Sequence, residues 1–108
     1  YSELGQGLDV QIYHTCFLHE LRLQGLLFKR DVAFPVYYKD IKTSKEIIVD
    51  ILVENQAIVE IQSEREISLL QLHSLQSKLK ISGKRMGIII TFNAPGVIEG
   101  YRKVLNNL

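Results

Sequence analysis

Two carboxylates stand where carboxylates are costly. Asp50 interrupts the apolar run Ile47-Ile48-Val49-Asp50-Ile51-Leu52-Val53, and Glu60 interrupts Ile58-Val59-Glu60-Ile61. A charge inside such a run has to be paired, protonated or bound to a metal. A turn near Asn55 makes the two acids neighbours across a hairpin, where like charges repel unless a cation intervenes. Two carboxylates aimed at one point form a hard oxygen site suited to Mg²⁺ or Mn²⁺, with the remaining positions left to water and a substrate phosphate. The opposing reading is that one or both acids sit at strand ends and are simply solvated.

Charge is distributed unevenly around these residues. Residues 46–66 hold six acids against Arg65, whereas from His73 onward six bases (Lys78, Lys80, Lys84, Arg85, Arg102 and Lys103) face Glu99 alone. The net charge of +1 does not by itself mark a nucleic-acid binder. The segregation fits either two solvated faces or an acidic centre beside a basic surface for a phosphate backbone. Cys16 is the lone cysteine, which excludes a disulfide framework and a cysteine-based zinc site. It reads as a small core residue. Gly5-Gln6-Gly7 is no phosphate loop, because no strand precedes it and no Lys-Ser/Thr follows.

The 108 residues suffice for one domain with its own core, and 46% apolar with 23% charged residues is ordinary globular composition. No apolar run reaches the roughly 18 residues of a membrane span. Nothing at the start reads as a signal peptide, so the cytoplasm is the expected compartment. The chain opens on Tyr1 rather than Met, which fits a fragment of a longer protein.

The elements that must position the acids follow from periodicity. Apolar residues at helical spacing place a helix over about Leu8 to Leu23, with Gly25 at its C-terminal cap. Val32, Phe34, Val36 and Tyr38 alternate as a strand, and Pro35 puts it at an edge. Lys39 to Lys45 reads as a polar turn, Glu46 to Glu54 as a second strand and Ala57 to Gln62 as a third. Ser63 and Glu66 match a capping box opening a helix through about Lys80, with Leu72, Leu75 and Leu79 on one stripe. Met86 to Phe92 reads as a buried strand. Asn93 and Pro95 open a last helix carrying Val97, Ile98, Tyr101, Val104 and Leu105. The expected architecture is α/β, in the order α-β-β-β-α-β-α, with helices on both faces of a small mixed sheet in one domain over residues 1–108.

Several segments resemble the GxxExxR protein family of the PD-(D/E)XK nuclease superfamily, whose core is restriction-endonuclease-like. They are Leu4-Gly5-Gln6-Gly7-Leu8 followed by Tyr13, Glu20-Leu21-Arg22-Leu23-Gln24-Gly25-Leu26, Val36-Tyr37-Tyr38-Lys39-Asp40-Ile41-Lys42, Val59-Glu60, Leu79-Lys80-Ile81-Ser82-Gly83 and the strand Gly87 to Phe92. The resemblance runs in order over nearly the whole chain. It implies a metal-dependent phosphodiesterase chemistry with Asp50 and Glu60 as metal ligands. It also shows what has changed. The family's glutamate on the first helix falls on Val10, the arginine two residues before the strand acid on Ile48, the lysine of Glu-x-Lys on Gln62, and the glutamine of the second helix on Ser74. Gln62 can hydrogen-bond a water but carries no charge and is no base. Lys78, four residues after Ser74 on the same helical face, is placed to replace the lysine. His14, four residues after Val10, is a further candidate ligand, set against its reading as an ordinary half-buried histidine.

Three functions are compatible with these residues. One is a catalytically impaired nuclease-like domain that binds DNA or RNA through Lys78, Lys80, Lys84, Arg85, Arg102 and Lys103. Another is an active nuclease in which Asp50 and Glu60 hold Mg²⁺ or Mn²⁺, Gln62 orients water and Lys78 supplies charge. The third is a homodimeric interaction module built on the apolar edge strand around Val36.

Overall fold

The computed structural model describes residues 8–92 and 100–106. Helix α1 spans Val10–Leu23, and strands β1, β2 and β3 span Phe28–Tyr38, Ile41–Val53 and Ala57–Gln62. Helix α2 spans Leu69–Ser82, and strands β4 and β5 span Met86–Thr91 and Tyr101–Leu105. The strands lie in one sheet in the order β1-β2-β3-β4-β5. Only β3 and β4 are parallel, and α2 is the crossover between them.

The two helices cover opposite faces, as expected. On one side Tyr13, Leu18 and Leu21 of α1 pack with Ile51, Val59, Ile61 and Phe92. On the other, Leu75 and Leu79 of α2 pack with Val49, Leu52, Ile58 and Ile89. Gly87 lets α2 lie close on β4: a Cβ there would fall 2.8 Å from the Leu75 side chain. No helix among the described residues is long and apolar enough to cross a membrane.

Helix ends follow local chemistry. Asp9 caps α1 by accepting the Gln11 N–H at 2.8 Å. At the other end Gly25 takes φ 73°, and the N–H groups of Leu26 and Gly25 bond the carbonyls of Leu21 and Arg22. That pair of bonds is a Schellman motif. The capping box of α2 is Ser68 with Gln71, not Ser63 with Glu66. Both pairs have the spacing, but starting at Ser68 sets Leu75 and Leu79 onto the sheet, and the core decides. Residues 63–67 form a loop held by the bonds from Gln62 Nε2 to the Glu66 carbonyl and from Thr91 Oγ1 to the Glu64 carbonyl. Ser68→Ala is expected to cost about 1 kcal/mol in urea denaturation.

Two other expectations need correction. The stretch Lys39 to Lys45 is not a turn: only Lys39 and Asp40 turn the chain, both with positive φ, and β2 already begins at Ile41. Residues 42–46 belong to β2, with Lys42 opposite Tyr37 and Glu46 opposite Pro35 across a register shift, inside which Thr43 Oγ1 donates to the Val36 carbonyl. The last element described is the strand β5, not a helix. Tyr101, Val104 and Leu105 match helical spacing, yet the segment pairs antiparallel with β4, Val104 opposite Gly87 and Tyr101 opposite Ile90. This pairing satisfies the N–H and C=O groups that β4 would otherwise expose as an edge. Residues 93–99, including Asn93, Pro95, Val97 and Ile98, lie outside the described residues.

Candidate functional site

Strand β2 changes phase at Asp50. Val49 and Leu52 face the α2 core, whereas Ile51 and Val53 face the α1 side. Residues 49 and 51 should share a face in a regular strand, so the alternation breaks between them. Opposite this point Asp31 has φ 51°, a bulge-like irregularity of the partner strand. The pairing of β2 with β3 is confined to Ile51–Val53 against Ala57–Val59. The two strands therefore part at Asp50 and Glu60, and α2 closes the opening from one side.

A cleft of about 260 Å³ lies there, lined by Asp50, Glu60, Ile61, Gln62, Gln71, Ser74, Lys78 and Ile89. Thus all four residues expected to carry chemistry (Asp50, Glu60, Gln62 and Lys78) meet in one place. Helix α2 brings Gln71, Ser74 and Lys78 to a single face by their i, i+3 and i+7 spacing. A larger hollow of about 350 Å³ beside Leu27, Phe28 and Leu52 contains none of them.

Asp50, Glu60, Gln62, Gln71 and Lys78 are each already engaged. Lys78 Nζ donates to Glu60 Oε2 at 2.7 Å, with both side chains largely buried, 24% and 19% exposed. The lysine is a built part of the cleft rather than a solvated helix residue. Asp50 is more open, 38% exposed. Its Oδ2 accepts the Ile61 N–H at 3.2 Å, taking a backbone donor at the point where the β2–β3 ladder has ended. Gln62 is tied at both ends of its amide, accepting from Gln71 Nε2 and donating to the Glu66 carbonyl.

His14 is buried on α1, only 7% exposed. Its Nε2 is 3.6 Å from Asp50 Oδ2, too long for a hydrogen bond but in contact, and its Nδ1 has no hydrogen-bond partner. Gln71 and the Ile61 backbone were not foreseen as part of the site. The signal for Gln71 lay in its spacing, seven residues before Lys78. No local pattern marks a backbone donor.

As they stand, the two carboxylates are engaged by protein donors rather than left open to a divalent cation. Among the described residues no group of three or more His, Cys, Asp or Glu side chains is placed to hold a metal ion. Val10 offers no ligand from α1, His14 of the same helix faces Asp50, and Glu60 Oε2 accepts from an ammonium group.

The other basic residues do not gather at the cleft. Lys80 is exposed on α2, two residues past Lys78 and so on the far side of the helix. Lys84 and Arg85 precede Met86, which pairs with Ala57, whereas the cleft lies toward Gln62 at the other end of that ladder. Arg102 and Lys103 are exposed on β5, opposite Ile89 and Ile88.

No curated protein and no solved structure matches this chain. A family model described as the PD-(D/E)XK nuclease superfamily matches residues 1–104. A mixed sheet whose hairpin parts at an Asp and a Glu, with a helix closing the opening, is what such a match leads one to look for. With nearly every residue covered by that model, the chain belongs to the PD-(D/E)XK nuclease superfamily.

Proposed function

We propose that this domain is a catalytically impaired PD-(D/E)XK nuclease of the GxxExxR type that keeps nucleic-acid binding and works without a divalent cation. The observation that carries this reading is the 2.7 Å pair between Lys78 and Glu60. A nuclease site needs both carboxylates open to a cation, and the surrounding ligands must repay the cost of stripping its water. Here an internal ammonium already compensates Glu60, a backbone N–H already serves Asp50, and the first-helix ligand is Val10. Gln62, in the place of the motif lysine, is bound into the α2 N-terminus and has no charge to offer a phosphate.

A second reading is favoured by the same lysine. Lys78 reaches the cleft from α2 and brings the positive charge that Gln62 lacks, so an active metal-dependent nuclease with a relocated lysine is the alternative. Labelled single- and double-stranded DNA and RNA incubated with Mn²⁺, Mg²⁺ or a chelator separate the two. The proposal expects binding that weakens steeply with salt, is indifferent to the chelator, and yields no cleavage. Cleavage that needs metal and disappears in Asp50→Ala would establish the alternative. Absence of any binding would remove the nucleic-acid role.

A further inference from the structure

The β1–β2 hairpin presents a surface that the cleft does not use. At its tip Tyr37, Tyr38 and Ile41 are 59%, 65% and 69% exposed. The ladder sets Tyr37 opposite Lys42 and Tyr38 opposite Ile41. Cross-strand partners share a face, so each face of this two-stranded ribbon carries one open tyrosine ring. Lys39 Nζ sits 5.4 Å from the centre of the Tyr38 ring. Lys39, Lys42 and Lys45 are exposed, Asp40 is the one acid within residues 36–45, and no ion pair of the described residues involves the three lysines.

The turn itself is costly. Lys39 and Asp40 have φ values of 49° and 67°. Glycine or asparagine serves this geometry best, and a lysine in the left-handed region costs on the order of 1 kcal/mol. What the cost secures is an ammonium at the very end of the ribbon. The base of the arm meets the basic segment before β4: Lys84 Nζ lies 5.9 Å from the centre of the Phe34 ring, and Arg85 beside it is exposed.

We propose that this arm takes single-stranded nucleic acid, with bases stacked on Tyr37 and Tyr38 and phosphates held by Lys39, Lys42 and Lys45. The inference rests on the nucleic-acid reading above and names the surface that does the binding. Open aromatic rings stack on bases whose faces are themselves open, which a duplex keeps covered. The interleaved lysines complement a phosphate backbone. The same charges oppose pairing with a second copy, since that would set one arm's lysines against the other's.

The test is fluorescence anisotropy with a labelled oligothymidylate and a duplex of equal length, across a salt series. The variants are Tyr37→Ala/Tyr38→Ala and Lys39→Ala/Lys42→Ala. All four positions are exposed, so circular dichroism and urea denaturation should show the fold intact. The tyrosine variant should bind the single strand at least tenfold more weakly, given the alanine-substitution cost of two stacked bases. The lysine variant should flatten the slope of log affinity against log salt by roughly 0.7 per lysine. Wild-type affinity in the tyrosine variant would overturn the arm while leaving the nucleic-acid reading standing. Equal losses on duplex and single strand would overturn the stacking. A changed oligomeric state in gel filtration would reassign the arm to self-association. A wild-type protein that binds neither oligonucleotide would sink the nucleic-acid reading and the arm together.

Discussion

Lys78→Ala is expected to destabilise the domain by about 2 kcal/mol and, at the same time, to create a response to Mn²⁺ that the wild type lacks. The destabilisation lies between the small value of exposed ion pairs and the roughly 3–5 kcal/mol of breaking a buried one. It belongs there because the two side chains are 24% and 19% exposed. Without the ammonium, Glu60 is left without its counter-ion in a cleft that it shares with Asp50, and an external cation can take the place of the lost charge. A ligand that binds the folded state alone stabilises it by about 2.7 kcal/mol at a hundred times its dissociation constant. Urea denaturation with and without Mn²⁺ reads both effects. Lys78→Ala should regain most of its lost stability in Mn²⁺. Glu60→Gln should remove this response. A wild type stabilised by Mn²⁺ as strongly as Lys78→Ala would show that the lysine does not hold the site closed.

Leu75→Ala should have the largest effect on folding, about 3 kcal/mol. Leu75 is fully buried at the contact of α2 with the sheet. Its side chain fills the space above Gly87, where a Cβ would come within 2.8 Å of three of its carbons. Gly87→Ala alone should therefore cost roughly 1–3 kcal/mol by overpacking. The double variant should cost less than the two together, because each change removes the other's problem. A coupling of at least 0.5 kcal/mol is the expected size for residues in contact. Strict additivity in a double-mutant cycle would mean that α2 does not pack on β4 as described. Domains of this kind hold only about 5–15 kcal/mol in all. The helix that carries Lys78 thus depends on one leucine and one glycine.

Much of this was legible in the sequence, for identifiable reasons. The third strand has the bounds its sequence predicts, because Ala57 to Gln62 is buried on both faces and ends at turn residues. Asp50 and Glu60 stood out because charges in apolar strands are rare. Lys78 stands four residues after Ser74, a position marked by the family resemblance, but its pairing with Glu60 depends on how α2 docks. Other features were hidden because they are tertiary. The strand β5 takes its conformation from the free edge of β4, which lies outside any local window. The arm runs from Lys42, opposite Tyr37, through a register shift to Glu46, opposite Pro35, and no local pattern in residues 42–46 announces it. Ser63 and Ser68 are equivalent as caps until the core chooses between them. The phase change at Asp50, which opens the cleft, appears only when the two cores are assigned their faces.

The central claim is that the cleft supplies its own cation. The measurement that tests it most directly is calorimetric titration of the wild-type protein with Mn²⁺ beside Lys78→Ala. The account predicts no binding heat for the wild type at millimolar Mn²⁺ and a saturable one-site isotherm for the variant, abolished by Asp50→Ala. A saturable wild-type isotherm that Asp50→Ala removes would contradict it, and would make this cleft a working metal centre.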